Sequence, residues 1–305
     1  MGFIRRFVDQ SSLKKETLFR SRLEPDVSEP FSPSANVRGD VFPAIRVDRI
    51  DFYHKGGNLF SYSARRGFTT HHKYASVILA KSNQPYVTDD SLTATPSFAA
   101  GYDRIKENCA LYSGLEAAGV AEVYGRYSCA KKDPLRQVVV LDIEVSLARH
   151  QEDGLPEPGR KQRTPMDRID LLLMDTKTGQ LRFFEAKHYS NGEIRAKTGS
   201  TPRIVRQIAR YQKQLNDSAV YREVLDAYRA HVAVINSLFS PNVPLPQPTE
   251  IDPTPRLLVF GFDAMQQEKL DVELRTLKAQ GISAYKIGDI RKVNPVTLFR
   301  GNPRW

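Results

Sequence analysis

Arg168-Ile169-Asp170-Leu171-Leu172-Leu173-Met174-Asp175, the turn Thr176-Lys177-Thr178-Gly179, and then Leu181-Arg182-Phe183-Phe184-Glu185-Ala186-Lys187 decide how this chain is read. Two apolar runs flanking a short glycine-containing turn are the pattern of a β-hairpin. With the loop centred on Lys177 and Thr178, Asp170 lies directly across from Glu185. Directly opposed residues on antiparallel strands hold their Cβ atoms about 4.5–5.5 Å apart. Two carboxylates at that spacing repel each other unless a cation lies between them, and hard divalent metals take oxygen ligands. Period-2 alternation places Lys187 on the face of Glu185. Acid, acid and amine on one face form the pattern expected of metal-dependent phosphodiester cleavage.

Each element has an ordinary explanation that must be weighed. Asp170 is the single charge in an apolar strand core, so it carries a desolvation cost unless paired or metal-bound; a half-buried aspartate at a strand end would carry less. Glu-x-Lys is a common tripeptide, usually on an exposed edge strand. Here Leu181 and Phe183 occupy the same face, so the strand is apolar until the charges arrive. A helix expected over 202–217 adds a third element. At 100° per residue Arg203, Arg206, Arg210 and Lys213 share one face and Ile204, Ile208 and Leu215 another, with Gln207, Tyr211 and Gln214 on the border. Such a stripe is ordinary for a surface helix, but beside the hairpin it is placed to grip phosphates.

The chain has 305 residues, 40% of them hydrophobic, which allows one large domain or two ordinary ones and excludes global disorder. Its net charge of +10 favours a polyanionic partner, although charge spread for solubility would read the same way. Two cysteines, Cys109 and Cys129, fit a reducing compartment rather than a disulfide scaffold. No apolar run approaches the roughly 18 residues of a membrane span, and the start Met1-Gly2-Phe3-Ile4-Arg5-Arg6 lacks a secretory signal. The expectation is a soluble cytoplasmic protein without a membrane partner.

Three segments follow. Residues 1–40 read as a polar, basic arm with a short helix at about 11–21. Residues 41–97 read as a β-rich module of unassigned role, with Ala44–Ile50 and Ala75–Leu79 as its clearest strands and Gly56-Gly57 as a turn. Residues 98–305 form the main domain: a helix from Phe98 to a stop at Gly119, a strand Ala121–Cys129, a long strand Arg136–Leu147, and a polar loop 149–167 carrying Arg160-Lys161-Gln162-Arg163. After the hairpin come helices 202–217 and 218–238, a proline-rich linker 240–255, a strand Leu257–Phe262, a helix 263–280 and a strand Ile282–Ile287. That alternation predicts an α/β (α+β) architecture, a mixed sheet flanked by helices.

At this point the residues resemble the PD-(D/E)xK nuclease superfamily, whose restriction-endonuclease-like core is an αβββαβ unit. Arg168–Asp170 looks like its aspartate motif, Glu185-Ala186-Lys187 like its Glu-x-Lys motif, and Gln207 with Tyr211 like the Gln-x-x-x-Tyr element of the RecB-type branch. The resemblance covers about residues 98–290. It implies a Mg²⁺- or Mn²⁺-dependent deoxyribonuclease with Asp170 and Glu185 as metal ligands, Lys187 as catalytic lysine, and Gln207 and Tyr211 beside them. Family members often add a glutamate from the preceding helix. Glu107 is the first choice as this third ligand, with Glu116 nearer the apolar stripe. Expected partners are DNA, gripped by Arg203, Arg206, Arg210 and Lys213, a helicase or other protein that unwinds it, and a second copy of the chain. The role stays open between repair or recombination and defence against foreign DNA, and a catalytically silent nucleic-acid-binding or scaffold protein is the alternative.

The remaining candidates are weaker. Asp142 and Glu144 share a face, as a solvated strand edge also would. His54, His71 and His72 lack a third ligand at sensible spacing. Phe52, Tyr53, Phe60, Tyr62 and Phe68, interleaved with Lys55, Arg65, Arg66 and Lys73, fit either a base-stacking surface or a β-domain core.

Overall fold

The structure, a computed structural model, describes residues 2–32, 38–77, 85–132, 137–147, 168–196 and 200–301. The basic run Arg160–Arg163 lies outside them. The chain begins with short helices α1 (Gln10–Leu13) and α2 (Glu24–Ser28), followed by strands β1 (Phe42–Arg46), β2 (Arg49–His54), β3 (Gly57–Ser63) and β4 (Gly67–His71). Helix α3 (His72–Ala75) and strand β5 (Tyr86–Val87) close this first part. Then come α4 (Tyr102–Leu111), α5 (Leu115–Tyr127), β6 (Val138–Val145), β7 (Ile169–Asp175), β8 (Gln180–His188), α6 (Arg203–Asn216), α7 (Ser218–Phe239), β9 (Glu250–Phe260), α8 (Ala264–Ala279), β10 (Ala284–Ile287) and α9 (Pro295–Arg300).

Among the described residues the strands form two sheets. One is antiparallel, in the order β1-β2-β3-β4-β5. The other runs β10-β9-β8-β7-β6, with β6, β7 and β8 antiparallel and β8, β9 and β10 parallel. Helices cover both faces of this mixed sheet, as the alternating pattern predicts for an α+β protein. Val120, Val123 and Tyr124 of α5 pack with Ile143, Leu171, Phe184 and Ala186. Ile204 and Ile208 of α6 pack with Leu257 and Val259, and α7 packs with Leu172 and Phe183 on the same side.

Several expectations need correction. The helix expected to run from Phe98 to Gly119 breaks at residues 112–114, and the strand expected at Ala121–Cys129 is the body of α5. Gly119 stops nothing: it sits inside α5, where a Cβ would collide with the Phe260 ring. Glycine is there so that helix and sheet can approach closely. The strand expected at Ala44–Ile50 turns back at Val47-Asp48, with Asp48 at φ 50°, so it becomes β1 and β2. Ala75 ends α3 rather than opening a strand, and Ile78 and Leu79 lie outside the described residues. The proline-rich segment is a linker only up to Thr249. Pro253 and Pro255 belong to β9, ahead of its pairing with β10 at Leu257 and where its register against β8 shifts.

The N-terminal segments are not an appended arm and module in packing terms. Phe3, Phe7, Phe19 and Leu23 share one buried cluster with Ile50 and Phe52 of β2, Leu172 of β7 and Tyr228 of α7. Asp142, fully buried rather than at a solvated edge, ties these parts together. Its carboxylate accepts from Arg5 Nε at 2.9 Å, Arg46 Nη1 at 2.8 Å and the Tyr228 hydroxyl at 3.0 Å. Burial would push Asp142 up, but the two guanidiniums hold it well below the ordinary carboxylate range. Phe52, Phe60, Tyr62 and Phe68 are core, which settles those four against the base-stacking reading.

Gly119→Ala tests the close α5–sheet approach. Alanine improves helix propensity by about 1 kcal/mol, but overpacking Phe260 is expected to lower stability by about 1–3 kcal/mol, measured by chemical denaturation. A gain in stability would contradict the packing.

Candidate active site

The site forms where β7 and β8 run out of apolar residues beside the N-terminus of α5 and one face of α6. The pairing of Leu171 with Phe184 and of Met174 with Leu181 carries the register one step further, setting Asp170 opposite Glu185. The turn fixes that register. Asp175 Oδ1 accepts from the backbone N–H groups of Lys177 and Thr178 at 2.8 and 3.3 Å, and Gly179 takes φ 75°.

Glu185 and Lys187 are 1% and 6% exposed, with Lys187 Nζ 2.8 Å from Glu185 Oε1. Gln207 Nε2 donates to the same Oε1 at 2.9 Å and to the Tyr211 hydroxyl at 2.9 Å. Tyr211, buried, donates in turn to the Arg168 carbonyl at 2.9 Å. One oxygen of the carboxylate is thus fully engaged. The other, Glu185 Oε2, is buried with no hydrogen-bond partner. Asp170 Oδ2 accepts from the Ala186 N–H at 2.7 Å. The sequence brought Asp170, Glu185, Lys187, Gln207 and Tyr211 to one place, and the structure does the same.

The third carboxylate is Glu116, not Glu107. Glu116 opens α5 and reaches over the end of β8: Oε1 lies 3.4 Å from Lys187 Nζ, and Oε2 accepts from Asn191 Nδ2 at 2.9 Å and the His188 N–H at 3.3 Å. Glu107 sits on α4 and lines a different cleft with Asp26, Asp103 and Lys106. Counting from Glu107 assumed one continuous helix, and the break at residues 112–114 resets the phase. Three further residues join the site. Glu193, on the loop after β8, lies 3.5 Å from Lys187 Nζ and 3.7 Å from Arg203 Nη1. Asn191 orients Glu116 from the same loop. Glu144, in β6 between partners of Leu171 and Ile169, sits beside Asp170 with φ 51° and pairs with Arg168 at 3.0 Å. Asn191 and Glu193 were findable, because loops at strand ends carry site residues.

A cleft of about 240 Å³ lies at the Asp170 edge of this cluster, lined by Asp170, Glu116 and Glu144 together with Tyr53 of β2 and Gly56 of the β2–β3 turn. Arg203, Arg206, Arg210 and Lys213 lie exposed on the outer face of α6, away from its buried Ile204, Ile208 and Leu215. The histidines stand elsewhere: His54 is buried 3.1 Å from Asp40, and His71 and His72 stack on each other.

Charge balance is the chemical signature. Burial pushes Asp170 up to about 7 against the pull of Lys187, and burial together with Asp170 pushes Glu185 well above the carboxylate range. Burial opposes charge on Lys187, but Glu185 outweighs it and holds the amine protonated. One ammonium faces two opposed carboxyls, so the pair keeps an extra proton or takes up a cation. Among the described residues no group of three or more His, Cys, Asp or Glu side chains converges to hold a metal ion. The oxygen-only donor set and the unpartnered Glu185 Oε2 nevertheless fit a hard divalent cation. Comparison with known proteins gave no match to a protein-family model, a curated protein or a solved structure.

Asp170→Asn tests the charge excess. A carboxyl whose folded-state pKa exceeds its unfolded value costs stability as pH rises between the two, and the cost is complete above about 7. The variant is therefore expected to be more stable than wild type at pH 8, by roughly 2 kcal/mol, with the gain vanishing near pH 4. Equal stability at pH 8 would contradict the charge balance.

Proposed function

We propose that this chain is a metal-dependent nuclease that hydrolyses DNA phosphodiesters, built on the core that the PD-(D/E)xK resemblance implies. The observation that carries the reading is the carboxyl pair of half-buried Asp170 and buried Glu185, offset among the described residues by Lys187 and with one Glu185 oxygen unpartnered. The order α5, β6, β7, β8, α6, α7, β9 follows the αβββαβ pattern with one added helix. Gln207 and Tyr211 brace Glu185 from the helix where the resemblance expects them. The exposed cations of α6 suit a phosphate backbone.

Asp170 and Glu185 would hold Mg²⁺ or Mn²⁺, with Glu116 the nearest further carboxylate. When bound, such an ion polarises a phosphoryl oxygen and acidifies water. The protein's own groups do the rest. Gln207 fixes Glu185 through Oε1 and leaves Oε2 without a hydrogen-bond partner. Tyr211, anchored on the Arg168 carbonyl, fixes Gln207. Lys187, kept protonated, stabilises the negative charge that grows on the pentacoordinate phosphate. Strand unwinding or a second cut would come from a helicase or from a second copy of the chain. The reading covers repair, recombination and defence against foreign DNA alike.

The close Lys187–Glu185 pair and the lack of a converged three-ligand group among the described residues favour a second reading, a silent nucleic-acid-binding protein. Incubation with linear, circular and single-stranded DNA plus Mg²⁺ or Mn²⁺ separates the two. Wild type is expected to cleave, and Glu185→Ala and Lys187→Ala to lose at least about 10²-fold in rate while still binding DNA. Cleavage at wild-type rates by Glu185→Ala would refute the assignment. No cleavage with either metal, with affinity unchanged by EDTA, would favour the silent binder.

A further inference from the structure

The fold buries four of the five rings first considered for base stacking, yet leaves a different aromatic and basic surface open near the cleft. Tyr112 and Tyr86 are 57% and 50% exposed. Lys73 Nζ lies 4.1 Å above the Tyr112 ring and 5.4 Å from the Tyr74 ring, with no carboxylate partner among the described residues. Tyr74 and Tyr112 approach at 5.8 Å, and His71 meets both Tyr74 and Tyr86 at 5.6 Å. The surface is held in place from below: Asn108 of α4 donates to the Tyr74 carbonyl at 2.7 Å, which locks α3 against α4.

Position gives this surface its meaning. Tyr112 caps the end of α4, and Glu116 follows four residues later. Even fully extended, that stretch spans at most about 14 Å, so one bound strand can touch both. Gly114, between them, lines the cleft itself.

We propose that Tyr112, Tyr86 and Lys73 form a stacking platform for a single strand of nucleic acid, which they deliver to the cleft lined by Asp170 and Glu116. The proposal rests on the nuclease reading for its destination, but not for the binding. Exposed tyrosines stack on the π face of any unpaired base, and Lys73 supplies the charge that the adjoining phosphate needs. In a duplex those base faces already stack on one another. The platform therefore selects single-stranded ends or loops over intact duplex, whereas the α6 stripe grips either form.

Fluorescence anisotropy in EDTA tests this without requiring cleavage. The probes are a labelled oligothymidylate, a labelled oligouridylate and a duplex of the same length. Wild type is expected to bind single strands more tightly than duplex. Tyr112→Ala should weaken single-strand binding about tenfold and leave duplex binding unchanged, while Tyr112→Phe, which keeps the ring, stays within twofold of wild type. The oligothymidylate and oligouridylate arms show whether the strand is DNA or RNA. Unchanged affinity of Tyr112→Ala and Tyr86→Ala for both single strands would overturn the platform and leave the exposed rings to a protein partner. Equal weakening of single-strand and duplex binding would also overturn it. Loss of cleavage with stacking intact would instead count against the nuclease reading alone.

Discussion

The register of one hairpin governs everything else at the site. Leu171 through Met174 of β7 face Phe184 through Leu181 of β8, and the next step sets two carboxyls face to face. A slip by one residue would turn Asp170 to the other face of the sheet, away from Glu185. The Asp175 side chain, closing the turn and itself pinned by Arg300 at 2.6 Å, prevents that slip. The chain is thus forced to hold two acids, one buried and one half-buried, beside one buried amine.

Two other buried acids show that this outcome is not inherent in burial. Asp142 is fully buried, yet two arginines and a tyrosine hold it ionised. Asp40, facing His54 and Lys106, is held down at about 2. In both cases basic partners outweigh desolvation, and the result is a fastener between distant segments. At Asp170 and Glu185 the shift runs the other way. The same fold matches its structural acids with basic partners and leaves one pair in deficit, and strongly perturbed carboxyls of this kind mark a candidate functional site.

How much of this was legible depended on the range of the interactions. The hairpin, its register, α6 with its polar border, α7 and α8 are local patterns, and periodicity with turn chemistry reveals them. Helix α5 was not legible, because Val123, Tyr124 and Tyr127 read as strand residues and Gly119 read as a stop. Only the Phe260 ring, far along the chain, explains Gly119. That error carried over to the choice of Glu107 above Glu116. Asp142 looked like an edge residue because its partners, Arg5 and Arg46, lie 137 and 96 positions away. Likewise Phe3 and Phe7 sit in an irregular segment without a period, so nothing local marks them as core.

Isothermal titration calorimetry of Mn²⁺ into metal-free protein at pH 8 bears most directly on the central claim. Saturable binding by wild type, abolished in Glu185→Gln and accompanied by proton release that shrinks as pH is raised, is the result the charge deficit predicts. Equal Mn²⁺ binding by wild type and Glu185→Gln, or none by either, would contradict it.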